Sequence, residues 1–190
     1  MIVLHEKIDV PRPPREAFAY VGDFSTTVEW DATAIEARKT TPGPIGRGTR
    51  FEVVCRLPLG SVTIDYTVAR HDPDRLIELQ GTSRFFAVTD TITFQETAAG
   101  THIDYRARFT FSGLLEKLSP RFAEGMRRMG RASVEGLREA LEDNYPPPTA
   151  APDTRRADRW LLPGLFHVTR AGYRRGRKRW NPVSAWMGVR

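Results

Sequence analysis

Residues 120–143, PRFAEGMRRMGRASVEGLREALED, decide how the rest of the chain is arranged. At about 100° per residue, the apolar side chains of this stretch and of its lead-in from Ser112 share an arc of roughly 140°. These side chains are Leu115, Leu118, Phe122, Met126, Met129, Leu137, Ala140 and Leu141, and every charged residue lies outside the middle of the arc. The pattern predicts one long amphipathic helix that needs an apolar partner surface.

The expected ends of this helix are marked by residues with known preferences. Ser119 suits an N-cap, and Pro120 suits the first helical position. The prolines at 146, 147 and 148 cannot continue a helix, because proline lacks an amide hydrogen. A helix from Pro120 to Asp143 would be about 36 Å long, enough to cross a small sheet.

The partner surface is predicted by six strand-like segments between Ile35 and Phe111. In residues 62–68, for example, the even-numbered residues are apolar or aromatic and the odd-numbered ones are polar. Turn-forming residues at 58–60, 71–74 and 98–100 separate such segments. Alternation of this kind indicates antiparallel strands with one buried face and one face toward solvent.

The N-terminal part of the chain supplies a seventh strand and two short helices. Residues 2–10 alternate as a strand, and residues 12–16 open a helix with prolines near its start. Thr26 and Glu29 have the spacing of a capping box, which predicts a second helix through Trp30. The order is therefore β-α-α-β6-α, an α+β fold in which a curved antiparallel sheet of about seven strands packs on the long helix.

Several functional classes lack their sequence signatures. The histidines, His5, His71, His102 and His167, are far apart and form no ligand pair, so no metal site and no cofactor are expected. There is no G-x-S-x-G, and the loop at 42–49 lacks the lysine and hydroxyl residue of a phosphate-binding loop. Cys55 is the single cysteine, which excludes an intramolecular disulfide, and its apolar strand predicts an inert thiol. With no long apolar run and no signal-peptide pattern, a cytoplasmic protein is expected.

At this point the chain resembles a known superfamily through the order and spacing of several short motifs. They are VPRPPREAFAYV at 10–21, DF at 23–24, EWD at 29–31, PGPIGRGT at 42–49 and the Gly100-Thr101 turn. The chain resembles the START/Bet v 1-like (SRPBCC, helix-grip) superfamily, and within it the polyketide cyclase/dehydrase-like branch, over about residues 1–145. The resemblance implies an apolar cavity between sheet and long helix. Members bind sterols, lipids, hormones, quinones or polyketides there, and a minority catalyse cyclisation or dehydration.

Candidate pocket residues are those whose strand or helix phase points toward that cavity. The large apolar candidates are Phe51, Val53, Val88, Phe109, Phe122, Met126 and Met129, and the polar or soft ones are Cys55, Tyr66, Asp90 and Tyr105, with Trp30 near the mouth. An apolar site with a few polar groups is typical of a ligand pocket. The alternative is an ordinary filled core.

Asp90 is the one candidate for a chemical role. It is a weak candidate for a catalytic residue, or it could anchor a polar group of a ligand. A carboxylate on the inner face of a strand would be desolvated, and its pKa would rise unless a partner stabilised the charge. The interpretation favoured by the sequence is structural, with Asp90 at a strand bulge, bonded to backbone amides or to an arginine. Half-buried strand tyrosines such as Tyr66 and Tyr105 are common and need no function.

The C-terminal part of the chain differs in composition from the rest. Residues 146–152 form a Pro/Ala linker, and residues 153–190 hold ten Lys/Arg and two Asp/Glu, a net of +8 within a chain of +6. Aromatic residues interleave with the basic ones, which suits docking to an anionic membrane surface or to a protein. Nucleic acid is a competing partner that the net charge of the body, about −2 by subtraction, disfavours. A functionally quiet tail is the third interpretation.

These observations lead to one main hypothesis and two others. The main hypothesis is a small cytoplasmic protein that binds a hydrophobic ligand, such as a lipid, polyketide or aromatic metabolite, and that is peripheral to a membrane if the tail docks there. The alternative is a polyketide cyclase/aromatase or dehydratase that uses the same cavity, ranked second because no acid/base pair is recognisable in the sequence. A protein-interaction module is the third.

Overall fold

The computed structural model describes residues 1–57, 60–111 and 113–143, and at 57, 114–116, 118–120, 122 and 143 it describes the backbone alone. The strands are β1 Ile2–Val10, β2 Ala34–Lys39, β3 Arg50–Leu57, β4 Gly60–Asp72, β5 Leu76–Thr82, β6 Phe86–Thr97 and β7 Gly100–Phe111. The helices are α1 Pro14–Gly22, α2 Thr27–Trp30 and α3 Leu114–Asp143, and a 3-10 turn spans Phe24–Thr26. The predicted order β-α-α-β6-α and the α+β class are confirmed.

All seven strands form one antiparallel sheet in the order β1-β7-β6-β5-β4-β3-β2. Strands β2 to β7 follow one another as a meander. The first strand then pairs with the last, from Ile2 opposite Phe109 to Val10 opposite Thr101. The chain segment that contains α1 and α2 therefore runs from one edge of the sheet to the other, across the face that α3 also covers.

The alternating pattern of the strands is confirmed, since the sheet has a buried inner face and an outer face toward solvent. The inner positions of the central strands include Val62, Ile64, Tyr66 and Val68 on β4, Ile77 and Leu79 on β5, and Val88, Asp90, Ile92 and Phe94 on β6, all buried. Burying these side chains stabilises the fold by about 25 cal/mol per Å² of apolar surface. The sheet has its apolar face on one side only. The sheet curls around α3, which covers that face.

The start of α3 differs from the sequence prediction. The helix begins at Leu114 rather than near Ser119 and Pro120, because Gly113 adopts φ 61° and turns the chain directly out of β7. A left-handed φ is a conformation that glycine adopts at little cost. Pro120 therefore lies inside the helix, where its missing amide hydrogen removes one intrahelical hydrogen bond. With 30 residues, α3 is about 45 Å long rather than about 36 Å.

The expected capping box at Thr26 is also absent, and that prediction was wrong. The Thr26 hydroxyl donates back to the carbonyl oxygens of Tyr20 and Asp23, at 3.1 and 2.9 Å, and accepts from Nε1 of Trp30 at 3.3 Å, but it does not cap a backbone amide of α2. Asp23 provides the cap, since its carboxylate accepts from the backbone amide of Ser25 at 3.1 Å. The chain thus forms a 3-10 turn that continues directly into α2.

Helix α3 packs on β1, β7 and α2. The closest approach is at Gly136, where an added Cβ would overlap the carbonyl oxygen of Trp30 at the end of α2. The partner of α3 at this point is therefore the end of α2 and not the sheet. In the last turn the carbonyl oxygen of Leu141 accepts a hydrogen bond from Nε of Arg12, which lies between β1 and α1.

Three sequence-level expectations concern the ends of the domain and the tail. The predicted domain 1–145 stays a prediction, because the structure describes α3 only to Asp143 and the linker 146–152 and the basic tail 153–190 lie outside the described residues. Within residues 1–57, 60–111 and 113–143, no helix has the length and apolarity that a membrane crossing requires.

Gly136→Ala should lower the free energy of unfolding by about 1–2 kcal/mol, because overpacking against the fixed backbone at Trp30 outweighs alanine's helical preference. Gly130→Ala is the matched control. Its Cβ would lie 2.9 Å from Cδ1 of Leu4, the movable end of a side chain, so the change should stay within about 1 kcal/mol of wild type. Urea unfolding measures both variants, and equal stabilities would show that the approach to Trp30 is not restrictive.

Candidate functional site

A cavity of about 90 Å³ lies between the inner face of the sheet and the helices α2 and α3. Of the residues predicted for the pocket, those that line it are Trp30, Val53, Cys55, Tyr66, Asp90, Tyr105, Phe109 and Met129. The remaining lining residues are Leu4, Glu6, Phe24, Thr27, Asp31, Ala107, Gly130, Ser133 and Val134. The wall is largely carbon, and the polar groups project from different elements.

Three of the predicted residues lie outside the cavity wall. Phe51, Val88 and Met126 are buried in the core and are not among the residues that line the cavity. Phe51, for instance, packs against the ring of Phe24 with a centroid distance of 6.1 Å. Phe122 belongs to α3, and its side chain lies outside the described part of the structure.

Asp90 is on the inner face of β6 and is 3% exposed. The register is continuous on both sides, with Asp90 opposite Leu79 of β5 and Ala107 of β7. The expected strand bulge is therefore absent, and neither a backbone amide nor an arginine bonds the carboxyl group; this structural interpretation was wrong. The regular ladder instead forces the side chain inward, toward the cavity.

The Asp90 carboxyl has two tyrosine neighbours, Tyr66 and Tyr105, and one buried oxygen that accepts no hydrogen bond from the described residues. Burial raises its pKa to about 7, and hydrogen bonding from the hydroxyls of Tyr66 and Tyr105 acts in the opposite direction. Oδ2 is buried and has no hydrogen-bond partner. An unpaired buried oxygen of this kind lowers the stability of the fold by about 1–3 kcal/mol. A hydrogen-bond donor on a ligand would remove this cost, so such a ligand would bind favourably there.

The two tyrosines are held in place by aromatic neighbours and by a glycine. Tyr66 packs edge-on against Phe24 at 5.0 Å, and Tyr105 packs edge-on against Trp30 at 6.4 Å between ring centroids. Gly81 lies opposite Tyr66, and a Cβ there would come within 2.6 Å of the tyrosine ring, so only glycine leaves room. Burial and the nearby Asp90 carboxylate raise the pKa of both phenols well above 10, which keeps them as hydrogen-bond donors.

Asp31 is the second carboxyl group at the cavity, and the sequence alone did not identify it. Its Oδ1 accepts from the amide and the hydroxyl of Thr33, both at 2.8 Å, and from the hydroxyl of Ser133 at 3.0 Å. The residue is half-buried, yet its carboxyl group is enclosed by protein, and this burial raises its pKa. The hydrogen bond from Ser133 joins the end of α2 to the middle of α3.

Glu6 is the third carboxyl group, and a signal for it exists in the sequence. It lies in β1 in the same phase as Leu4 and Ile8, whose side chains are buried, and it lines the cavity. The alternation of β1 therefore indicates that Glu6 is on the inner face of the sheet, although a charged residue there is unusual. No comparable signal marks Asp31 or Ser133, because their proximity depends on how α3 lies against α2.

The chemistry available in the cavity is proton donation and acceptance by carboxyl and phenol groups. Burial raises the pKa of the Cys55 thiol to about 12, so the thiol is protonated at neutral pH and unsuited to nucleophilic attack, as its strand position predicted. The described lining residues include no lysine, arginine or histidine. Among the described residues, no group of three or more His, Cys, Asp or Glu side chains is placed to hold a metal ion.

A curved seven-stranded sheet that holds one long helix, with a cavity between them, defines the helix-grip class of the START/Bet v 1-like superfamily. Residues 1–142 match the family model described as polyketide cyclase / dehydrase and lipid transport, and the chain belongs to this family. The predicted resemblance is confirmed. No curated protein matches the sequence.

Solved structures with low sequence identity share the fold. TTHA0849 from Thermus thermophilus is 16% identical, with a TM-score of 0.60 over 73% of this chain and 96% of that one. Protein MLL2253 from Mesorhizobium loti is 15% identical, with a TM-score of 0.56 over 75% and 98% of the two chains. Ara h 8.0201 is 14% identical, with a TM-score of 0.50 over 71% and 96%. At these identities the similarity concerns the fold alone.

Asp90→Asn should change the pH dependence of stability in a defined direction. Because the folded-state pKa of about 7 lies above the ordinary value of 3.8, the wild-type protein loses stability as pH rises from about 4 to about 7. The shift corresponds to roughly 4 kcal/mol at full effect. The asparagine variant lacks this contribution, so its unfolding free energy minus that of wild type should increase over that range and then level off.

Urea unfolding at a series of pH values measures this difference. Asp65→Asn, on the exposed face of strand β4, is the matched control and should give a flat difference. A flat difference for Asp90→Asn as well would mean that Asp90 ionises in the folded protein as it does in water.

Proposed function

We propose that the chain binds a small hydrophobic ligand in the cavity between the sheet and α3. The observation that carries the proposal is a carbon-lined cavity that contains Asp90, a buried carboxyl with an unpartnered oxygen. Such a site combines apolar surface for affinity with one polar anchor for orientation. The description of the family, which includes lipid transport, supports the same function.

The size of the cavity limits which ligands enter without rearrangement. At about 90 Å³ the cavity is well below the roughly 300–1,000 Å³ of a drug-sized site. A compact group therefore fits inside it, whereas a fused-ring polyketide or an acyl chain would extend beyond it. Each Å² of apolar ligand surface buried contributes about 25 cal/mol.

Ala107→Leu should abolish binding of a compact apolar probe. Ala107 lines the cavity from β7, and leucine adds three carbon atoms where the ligand would lie. For tert-butylethanol, a neutral probe, the variant should bind at least about tenfold more weakly than wild type, a loss of about 1.4 kcal/mol. Titration followed by NMR chemical shifts measures even weak binding.

Ala87→Leu is the control for this substitution, since Ala87 lies on the exposed face of β6. It should bind the probe as wild type does. If Ala87→Leu and Ala107→Leu bind equally well, the probe does not occupy the cavity. Native mass spectrometry of protein purified from its own host then tests for a co-purifying apolar molecule, and repeated isolation of empty protein would count against the proposal.

A second candidate function is proton-transfer catalysis, such as cyclisation or dehydration of a polyketide-like substrate. It is favoured by Asp31 and Asp90, two carboxyl groups that line one cavity, and by the Asp90 pKa of about 7. A base whose pKa lies near the working pH is suited to abstracting a proton next to a carbonyl. In this second candidate, Asp31 and Asp90 would serve as the acid/base pair that the sequence did not reveal.

Exchange of the α-hydrogens of cyclopentanone in deuterated water tests this second candidate. Removal of such a hydrogen is the elementary step of both reactions, and general base catalysis typically accelerates it by 10²–10⁴-fold, so wild type should exceed Asp90→Asn by about 10²-fold. Proton NMR follows the exchange, with Asp65→Asn as control. Equal rates for wild type and Asp90→Asn would remove the enzymatic candidate and leave the binding proposal intact.

The docking role of the basic tail 153–190 stays a prediction. The same holds for a cytoplasmic location and for peripheral association with a membrane. Liposome co-sedimentation of the chain with and without residues 153–190 separates membrane docking from the quiet interpretation.

A further inference from the structure

The charged groups that line the cavity all have the same sign. Glu6 comes from β1, Asp31 from the end of α2 and Asp90 from β6, and the described lining residues include no cationic side chain. Like charges enclosed in one small volume repel each other strongly, because the local dielectric is low. The described wall supplies no positive charge to balance them.

Asp90 carries one of these uncompensated negative charges in the interior of the protein. The residue is only 3% exposed, and its Oδ2 has no hydrogen-bond partner. Tyr66 and Tyr105, whose hydroxyls interact with this carboxyl group, also line the cavity. The unpartnered oxygen belongs to a residue that lines the cavity, so the missing partner would come from the ligand.

Aromatic rings surround the same volume. Trp30, Tyr105 and Phe109 line one part of the wall, and Phe24 and Tyr66 line another. The face of an aromatic ring attracts a cation, and tryptophan and tyrosine do so most strongly. Rings combined with carboxylates form the kind of cage that holds an ammonium group. The volume of about 90 Å³ suits such a compact group.

We propose that the cavity selects ligands that carry a cationic nitrogen, which lies between the carboxylates and the aromatic rings while the apolar part of the ligand contacts the carbon wall. This inference rests on the proposed binding function and specifies its ligand class. A fatty acid or another anion is repelled by the three carboxyl groups. A neutral alcohol satisfies one hydrogen bond of Asp90 and leaves the charge uncompensated.

The proposal implies a pH dependence with a definite sign. A cation prefers the ionised form of Asp90, so its affinity rises as pH increases through about 7 and then levels off. A ligand with a carbonyl group, which accepts a hydrogen from protonated Asp90, shows the opposite trend. The titratable groups around Asp90 are Glu6 on β1, Asp31 after α2, Cys55 on β3, Tyr66 on β4 and Tyr105 on β7, whereas the described lining residues of α3 include none.

The test compares choline with tert-butylethanol, the carbon analogue in which a tert-butyl group replaces trimethylammonium. The two probes share shape and differ in charge, so their affinity ratio isolates the cation. At about pH 8.5 choline should bind at least about tenfold more tightly than tert-butylethanol, and its affinity should fall about tenfold or more at about pH 5.5. The tert-butylacetate anion, which is the carboxylate 3,3-dimethylbutanoate, should bind more weakly than choline and more weakly than tert-butylethanol.

Phosphocholine distinguishes the source of the cation. Binding as tight as that of choline indicates a phospholipid head group, whose phosphate stays outside the cavity. Binding of choline alone indicates a free cationic metabolite, because the added phosphate is repelled. Both results support the proposal that the cavity binds a cationic nitrogen.

Asp90→Asn removes the charge with little change in shape and should bring the choline to tert-butylethanol affinity ratio close to one. The exposed control Asp65→Asn should keep the wild-type ratio, and the wild-type pH profile tests the proposal without any variant. Equal wild-type affinities for choline and tert-butylethanol, or tighter binding of tert-butylacetate, would overturn the cation inference and leave hydrophobic binding standing. Failure of every probe to bind would overturn both.

Discussion

The distance between α3 and α2 is the constraint on which the site depends. At Gly136 the helix backbone touches the carbonyl of Trp30, and one turn earlier Ser133 donates to Asp31. These contacts fix one end of the gap between helix and sheet. The residues of α3 that face the gap just before this contact, such as Met129, then form a cavity wall and not a filled interface. A small residue at one helix position thus determines that the interior is partly hollow.

The polar groups of the cavity are brought together by long-range geometry. Asp90 points inward because the ladders on both sides of β6 are regular, whatever the cost of burying its carboxyl group. Asp31 arrives from a helix end and Glu6 from an edge strand, so three carboxyls far apart in sequence share one wall. Local packing alone would not favour such a group, because burial and the nearby Asp31 carboxylate both raise the pKa of Asp90.

Much of the fold was predictable because it depends on local periodicity. The alternating strands identified Tyr66 and Asp90 as inward-facing, and both line the cavity. One helix boundary was predicted incorrectly, at Ser119, because Gly113 starts the helix earlier. The N-cap position at Thr26 was predicted correctly, but its hydroxyl forms hydrogen bonds back to Tyr20 and Asp23 and does not cap the helix. The partners of Asp90 and the presence of Asp31 depend on contacts between elements distant in sequence, which one sequence without relatives does not reveal.

The pairing of β1 with β7 has a consequence for how the protein forms. Ile2 pairs opposite Phe109, so about a hundred residues lie between β1 and its partner strand, and β1 has no partner until β7 has been synthesised. Closing so large a loop is slow, and until then the apolar face of β1 and its unpaired edge are open to other chains. Strands β2 to β6, in contrast, pair with strands next to them in the sequence. Leu4 and Glu6 of β1 line the cavity, so the cavity wall is complete only after this long-range pairing has formed.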